Sequence, residues 1–264
     1  MKNGSLFAFF NLISLGLKLG VIYFQMLLLQ FSTSPYCRKV RLALGYKGIP
    51  FQVENLTPGL HVLKLKPLTG GLRTVPVLLP QLEGQPEAIA DSTQILHSIE
   101  SRFPSPPLLP ADESLQAEAW MLEDWLDESI GIATRFVYYE FRAGAGKQID
   151  PSVLSQLVIQ LARRQFGINR ASAKLAELRL SAALDLLHRR WQDGAYLVGD
   201  SLSVADIAAA ALLSPLALIP QYRIEYPWLF ERIAQIHEVC GETLPPGLEN
   251  IPVGRSPQPE NSTN

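Results

Sequence analysis

Leu27-Leu28-Leu29-Gln30-Phe31-Ser32-Thr33-Ser34-Pro35-Tyr36-Cys37-Arg38-Lys39-Val40-Arg41-Leu42-Ala43-Leu44 passes from an apolar run through a polar break into a helical pattern. Leu27 to Phe31 reads as a buried strand, and Ser32-Thr33-Ser34-Pro35 as the turn that opens a helix. Ser34 suits the N-cap, and Pro35 suits the first helical position, where its missing N–H costs no hydrogen bond. Val40, Ala43 and Leu44 continue the helix and Gly48 stops it. Phe51-Gln52-Val53-Glu54-Asn55 then alternates apolar and polar, as a half-buried strand does. The result is a strand–helix–strand unit whose right-handed crossover makes the two strands parallel neighbours.

Outward from that unit, a looser segment holds Pro58, Gly59, Pro67 and Gly70-Gly71. Thr74 to Leu79 reads as a third strand with Pro76 at its entry, because proline cannot donate to a ladder. Ala88-Ile89-Ala90 supplies a fourth, and Asp91-Ser92 opens a helix to about Arg102. Four prolines between Phe103 and Ala111 make a stiff extended linker. Beyond it the pattern is helical: Leu115, Ala119, Leu122, Leu126, Ile130, Ala133 and Val137 recur every three or four residues. Further helices are expected at Val153 to Phe166, around Leu175, Leu178, Ala182 and Leu186, at Val204 to Leu213, and at Trp228 to Val239. Four or five such helices stack into an all-α unit. The expected division is an α+β domain at 26–103, a linker at 104–112, a helical domain at 113–240 and a disordered tail at 241–264. No internal repeat is present.

The 264 residues are 47% hydrophobic and 18% charged, enough to bury one or two cores. A net charge of -2 provides no broad positive field, which argues against a nucleic-acid partner. The two cysteines, Cys37 and Cys240, form no CxxC pair, so neither a disulfide framework nor a zinc site is suggested and a reducing compartment fits. His61, His97, His188 and His237 lack ligand spacing and read as surface or helix-flank residues. Leu6 to Leu29 is long and apolar enough to span a bilayer. It runs without a linker into the first strand, however, and a spanning helix cannot share residues with a sheet. Residues 1–25 are therefore read as an extension outside the fold, not as a membrane anchor.

The chemistry-bearing candidates lie at turns: Ser34 at the first strand-to-helix turn, Val75-Pro76 at the third strand, and Asp91-Ser92 at the next helix start. Each also fits a plain structural role as a helix cap or strand-entry proline. Ser203-Val204-Ala205-Asp206 is a capping box that nucleates a core helix and touches no substrate. Taken together and in this order, these segments resemble the glutathione S-transferase family. Ser34 to Leu44 resembles the active-site turn of its serine classes, especially the plant tau class. It is also similar to the Cys-Pro-Tyr-Cys turn of glutaredoxins and the Cys-Pro-Phe turn of the omega class, with Ser34 where those carry the reactive cysteine. Leu197 to Ile207 resembles the signature of the family's C-terminal domain.

The resemblance, which covers about residues 26–240, implies a thioredoxin-like N-terminal domain followed by an all-α helical-bundle C-terminal domain. It implies glutathione as co-substrate, with Ser34 activating its thiol, Val75 and a cis Pro76 pairing with its cysteinyl backbone, and Asp91 and Ser92 holding its γ-glutamyl group. Arg73 and Lys66 are the candidates for its glycyl carboxylate. A small electrophilic or disulfide partner substrate, a role in detoxification, a cytoplasmic location and a homodimer are further implications. The electrophile is expected between the domains, near Trp120, Asp124, Asp127, Tyr138 and Tyr139. Thiolate formation needs help: a thiol of pKa about 8.5 is only a few per cent ionised at pH 7, and lowering it by about two units takes roughly 2.7 kcal/mol. A hydroxyl donor at the positive end of a helix suits that task. Two alternatives stay open, a catalytically idle binding or scaffold protein and a glutaredoxin-like thiol transferase using Cys37.

Overall fold

The computed structural model describes residues 26–81, 84 and 86–249. The extension at 1–25 and the end of the chain from residue 250 lie outside them. Strand β1 (Met26–Gln30) pairs in parallel with β2 (Phe51–Asn55) and antiparallel with β3 (Val77–Leu79), which pairs with β4 (Ile89–Ala90), in the order β2-β1-β3-β4. Helix α1 (Pro35–Tyr46) makes the crossover from β1 to β2, with Ser34 as N-cap and Gly48 at φ 62° just past its end. Helix α3 (Ser92–Arg102) follows β4 and packs against α1. The architecture is that of a thioredoxin-like half.

An unforeseen helix, α2 (His61–Thr69), fills the segment read as loose. Pro67, which stands inside the helix and has no N–H for the Leu63 carbonyl, and the nearby glycines obscured it; Gly70 closes the helix at φ 67°.

The helical half begins with α4 (Glu113–Trp125), which passes through a π-helical turn at Leu126–Ile130 into α5 (Gly131–Ala143). Helices α6 (Val153–Phe166), α7 (Arg170–Asp193), α8 (Val204–Leu212), α9 (Pro220–Glu225) and α10 (Pro227–Val239) follow. Every residue of α8 is buried, and it packs on α1, α4 and α10, so one core runs through both halves. Its capping box sets Asp206 to accept from the Ser203 and Leu197 backbone N–H groups and from the Trp191 indole, an architectural role.

Three sequence expectations need correction. The buried face of α7 is Ala173, Ala176, Leu180, Ala183, Leu184 and Leu187, whereas Leu175 and Leu178 stand 69% and 64% exposed. Small residues let the neighbouring α5 approach closely, so the alanines face inward and two of the leucines do not. The tail at 241–264 does not start as free chain: Leu248 is buried and Glu242 pairs with Arg41 at 2.8 Å, so residues 241–249 fold back onto the core. His237 is fully buried in α10, its Nδ1 2.7 Å from the Ile233 carbonyl oxygen.

Candidate functional site

Ser34 caps α1 with a long bond: its Oγ accepts from the Cys37 N–H at 3.4 Å. A hydroxyl that accepts in this way keeps its own proton free to donate. The residue is half-buried at the positive end of the helix, and the α1 sequence holds three cations, Arg38, Lys39 and Arg41, and no acid. Two neighbours are removed from contention as thiol chemists. Tyr36 donates its hydroxyl to the Asp127 carbonyl oxygen at 3.1 Å, and burial pushes its phenol up to about 12. Cys37 is fully buried and burial pushes its thiol up, with the Ser34 hydroxyl and the Phe31 backbone opposing. A thiol held protonated without access to solvent is a poor nucleophile, which weighs against disulfide chemistry at Cys37.

The Val75-Pro76 bond is cis, as the resemblance implied. Val75 lies beyond the last β1–β3 pair, Leu29 with Val77, so the ladder does not engage its backbone groups. Asp91 is the N-cap of α3, accepting from the Thr93 and Gln94 N–H groups at 3.0 Å each. Its φ of 75° is rare for a residue with a side chain, and such backbones gather at functional sites. Ser92 beside it is buried, while Arg73 and Lys66 are both exposed. Ser34, Val75, Pro76, Asp91 and Ser92 thus all sit in turns flanking β1, β3 and α3.

A buried ionic cluster under this surface was missed by sequence reading. Lys39 Nζ, with no exposure, lies 2.5 Å from Glu123 and 2.6 Å from Asp127 and donates to Thr93 at 3.2 Å. Burial raises both carboxyls against the pull of Lys39. The π-helical turn places Asp127 over α1, and Tyr36 bonds the same residue. The signal was present: Glu123 and Asp127 stand four apart, each directly after a leucine of the apolar face, Leu122 and Leu126. Asp127 therefore does not line an open substrate surface as expected. Trp120 is stacked on His97 at 3.7 Å, and Tyr138 accepts from Arg142 at 2.9 Å and packs edge-on against Tyr139. Arg135, also unforeseen, lies over the rings of Tyr36 at 5.3 Å and Phe166 at 4.7 Å.

Residues 28–107 match the glutathione S-transferase N-terminal domain, and residues 152–228 match the C-terminal domain of the same family. The chain belongs to the glutathione S-transferase family. Within and around it, the chain is 28% identical over 201 residues to FtsZ-localized protein A of Caulobacter vibrioides, covering 75% of this chain and 78% of that protein. It is 41% identical over 96 residues to glutathione S-transferase 1 of Dianthus caryophyllus, 33% of this chain and 39% of the relative. A glutathione S-transferase of Methylobacterium radiotolerans, solved with glutathione sulfonate, superposes with a TM-score of 0.62 at 25% identity over 84% of this chain and 95% of its own. Membership in the family fixes the fold. No helix among the described residues is long and apolar enough to cross a membrane.

Proposed function

We propose that the protein is a glutathione transferase in which Ser34 stabilises the thiolate of bound glutathione for attack on an electrophile. The observation that carries this is the state of Ser34: its hydroxyl accepts a cap bond and retains a proton to donate, while Tyr36 and Cys37 are both disabled by burial. In this reading Val75 pairs with the cysteinyl backbone across cis Pro76. Asp91 takes the ammonium and Ser92 with the α3 N-terminus takes the carboxylate of the γ-glutamyl group. Arg73 faces the glycyl carboxylate. The thiolate sulfur forms a bond to the electrophile, the leaving group departs with the bonding electron pair, and the thiol proton passes to solvent. A cytoplasmic, homodimeric enzyme suits both the reducing compartment and the family.

Titrating thiolate absorbance in the glutathione complex tests the role. Ser34→Ala should raise the pKa of the bound thiol and cut conjugation at pH 7 by about tenfold, about 1.4 kcal/mol. As a cap alone, the same change would cost about 1 kcal/mol of stability and leave the titration curve in place. A second reading rests on the similarity over three quarters of the chain to a protein named for localisation with FtsZ. There the fold would bind without turnover, and superimposable titration curves with no conjugation would favour it.

A further inference from the structure

We infer that Arg135 selects electrophiles bearing a carboxylate or another fixed anion, an assignment that rests on the transferase reading of Ser34 above. Arg135 lies on α5, across the seam from the first turn of α1, and its guanidinium is held between Tyr36 and Phe166. Tyr36 follows Ser34 by two residues, within one helical turn of 5.4 Å. Both rings lie close to the guanidinium, and among the described residues no hydrogen bond or ion pair engages its N–H donors. Among the described residues no carboxylate pairs with Arg135, whereas the neighbouring cations are occupied: Arg163 by Glu140 at 2.7 Å, Arg142 by Tyr138 and Ser155, and Lys39 by Glu123 and Asp127. A half-buried arginine beside two rings and lacking an acid partner among the described residues is a ready fork for a bidentate anion.

The acids Asp91, Asp127 and Glu128 act on the Tyr36 phenol against Arg135. Asp127 is bound by Lys39, and Asp91 belongs to the glutathione end. An acid-bearing acceptor is oriented by Arg135 while its electrophilic carbon meets the sulfur.

Two matched haloarenes test this, 4-chloro-3-nitrobenzoate and 4-chloro-3-nitrobenzamide. With each, the thiolate forms a carbon–sulfur bond at the chlorine-bearing carbon, chloride leaves with its electron pair, and the thiol proton goes to solvent. For each, kcat/KM is divided by the uncatalysed second-order rate constant, which removes intrinsic reactivity. The wild type should favour the carboxylate by about tenfold on this scale. Arg135→Gln should bring the ratio to about one and Arg135→Lys should keep part of it. Calorimetry with the two glutathione conjugates gives a readout independent of turnover and should show the same ordering. Equal preference in the wild type, or a preference that survives in Arg135→Gln, overturns the assignment while leaving the transferase reading intact. Failure to bind glutathione or either conjugate overturns both.

Discussion

Asp91 holds a backbone that L residues adopt at a cost of about 1–3 kcal/mol, and glycine adopts it freely. Replacing its side chain by glycine at a cap costs only a few tenths of a kcal/mol. Asp91→Gly is therefore expected to hold or raise the melting temperature while raising the KM for glutathione severalfold. Thermal melting set beside steady-state kinetics checks this, and a lower melting temperature with unchanged KM would make Asp91 a cap alone. His237 sets a different residue-scale expectation. Burial, with Arg38 and Arg41 near, lowers its pKa to about 4. The unfolded chain takes up a proton near pH 6.5 that the folded one refuses, so this stability is complete above about pH 6.5 and is lost as pH falls towards 4, by about 3 kcal/mol. Denaturant midpoints at pH 7 and pH 5 should converge in His237→Phe. Ser34 and Asp91 were legible because caps and turns are written in local residue types. His237 and Arg135 were not, because their roles depend on helices distant in sequence.

At the scale of elements, α1 is the piece on which both halves depend. It carries the buried Lys39 to two acids of the α4–α5 segment, and removing one member of such a cluster is far costlier than removing all of it. Lys39→Met should lower stability by about 3–5 kcal/mol, and adding Glu123→Gln with Asp127→Asn should recover most of that. Urea unfolding of the single and triple variants decides it, and an additive loss in the triple would mean the ion pairs themselves stabilise the seam. The same helix touches α10 at Gly45, where a Cβ would meet the Cys240 carbonyl oxygen at 2.1 Å. Backbone must shift to admit it, so Gly45→Ala is expected to lower the melting temperature despite alanine's better helix propensity. Sequence pattern found β1 by its apolar run, α1 by its cap, β2 by alternation and most helical-half elements by their helical spacing. It misassigned the inner face of α7 because alanine and leucine count alike as apolar, and only packing distance separates them.

Across the whole molecule, the last described residues close the assembly. Leu248 is buried in the core, and Glu242 reaches Arg41, which in turn donates to Gln30 at 2.6 Å at the end of β1. A chain ending at Cys240 should lose about 2–3 kcal/mol from the leucine alone and leave Arg41 without its carboxylate. A melting temperature equal to that of the full chain would show that this segment only rests on the surface. The order of sheet and helices was readable from sequence because it follows from element types in succession. This closing segment was not, because its prolines suggest free chain and only the cavity it fills argues otherwise. The ionic seam between the halves has a consequence for recombination. Neither half is a neutral module: the first brings a cation needing acids, the second brings two acids needing a cation. A chimera that grafts either half onto a relative would inherit this demand, so compatible parents must match at 39, 123 and 127 before any similarity elsewhere matters.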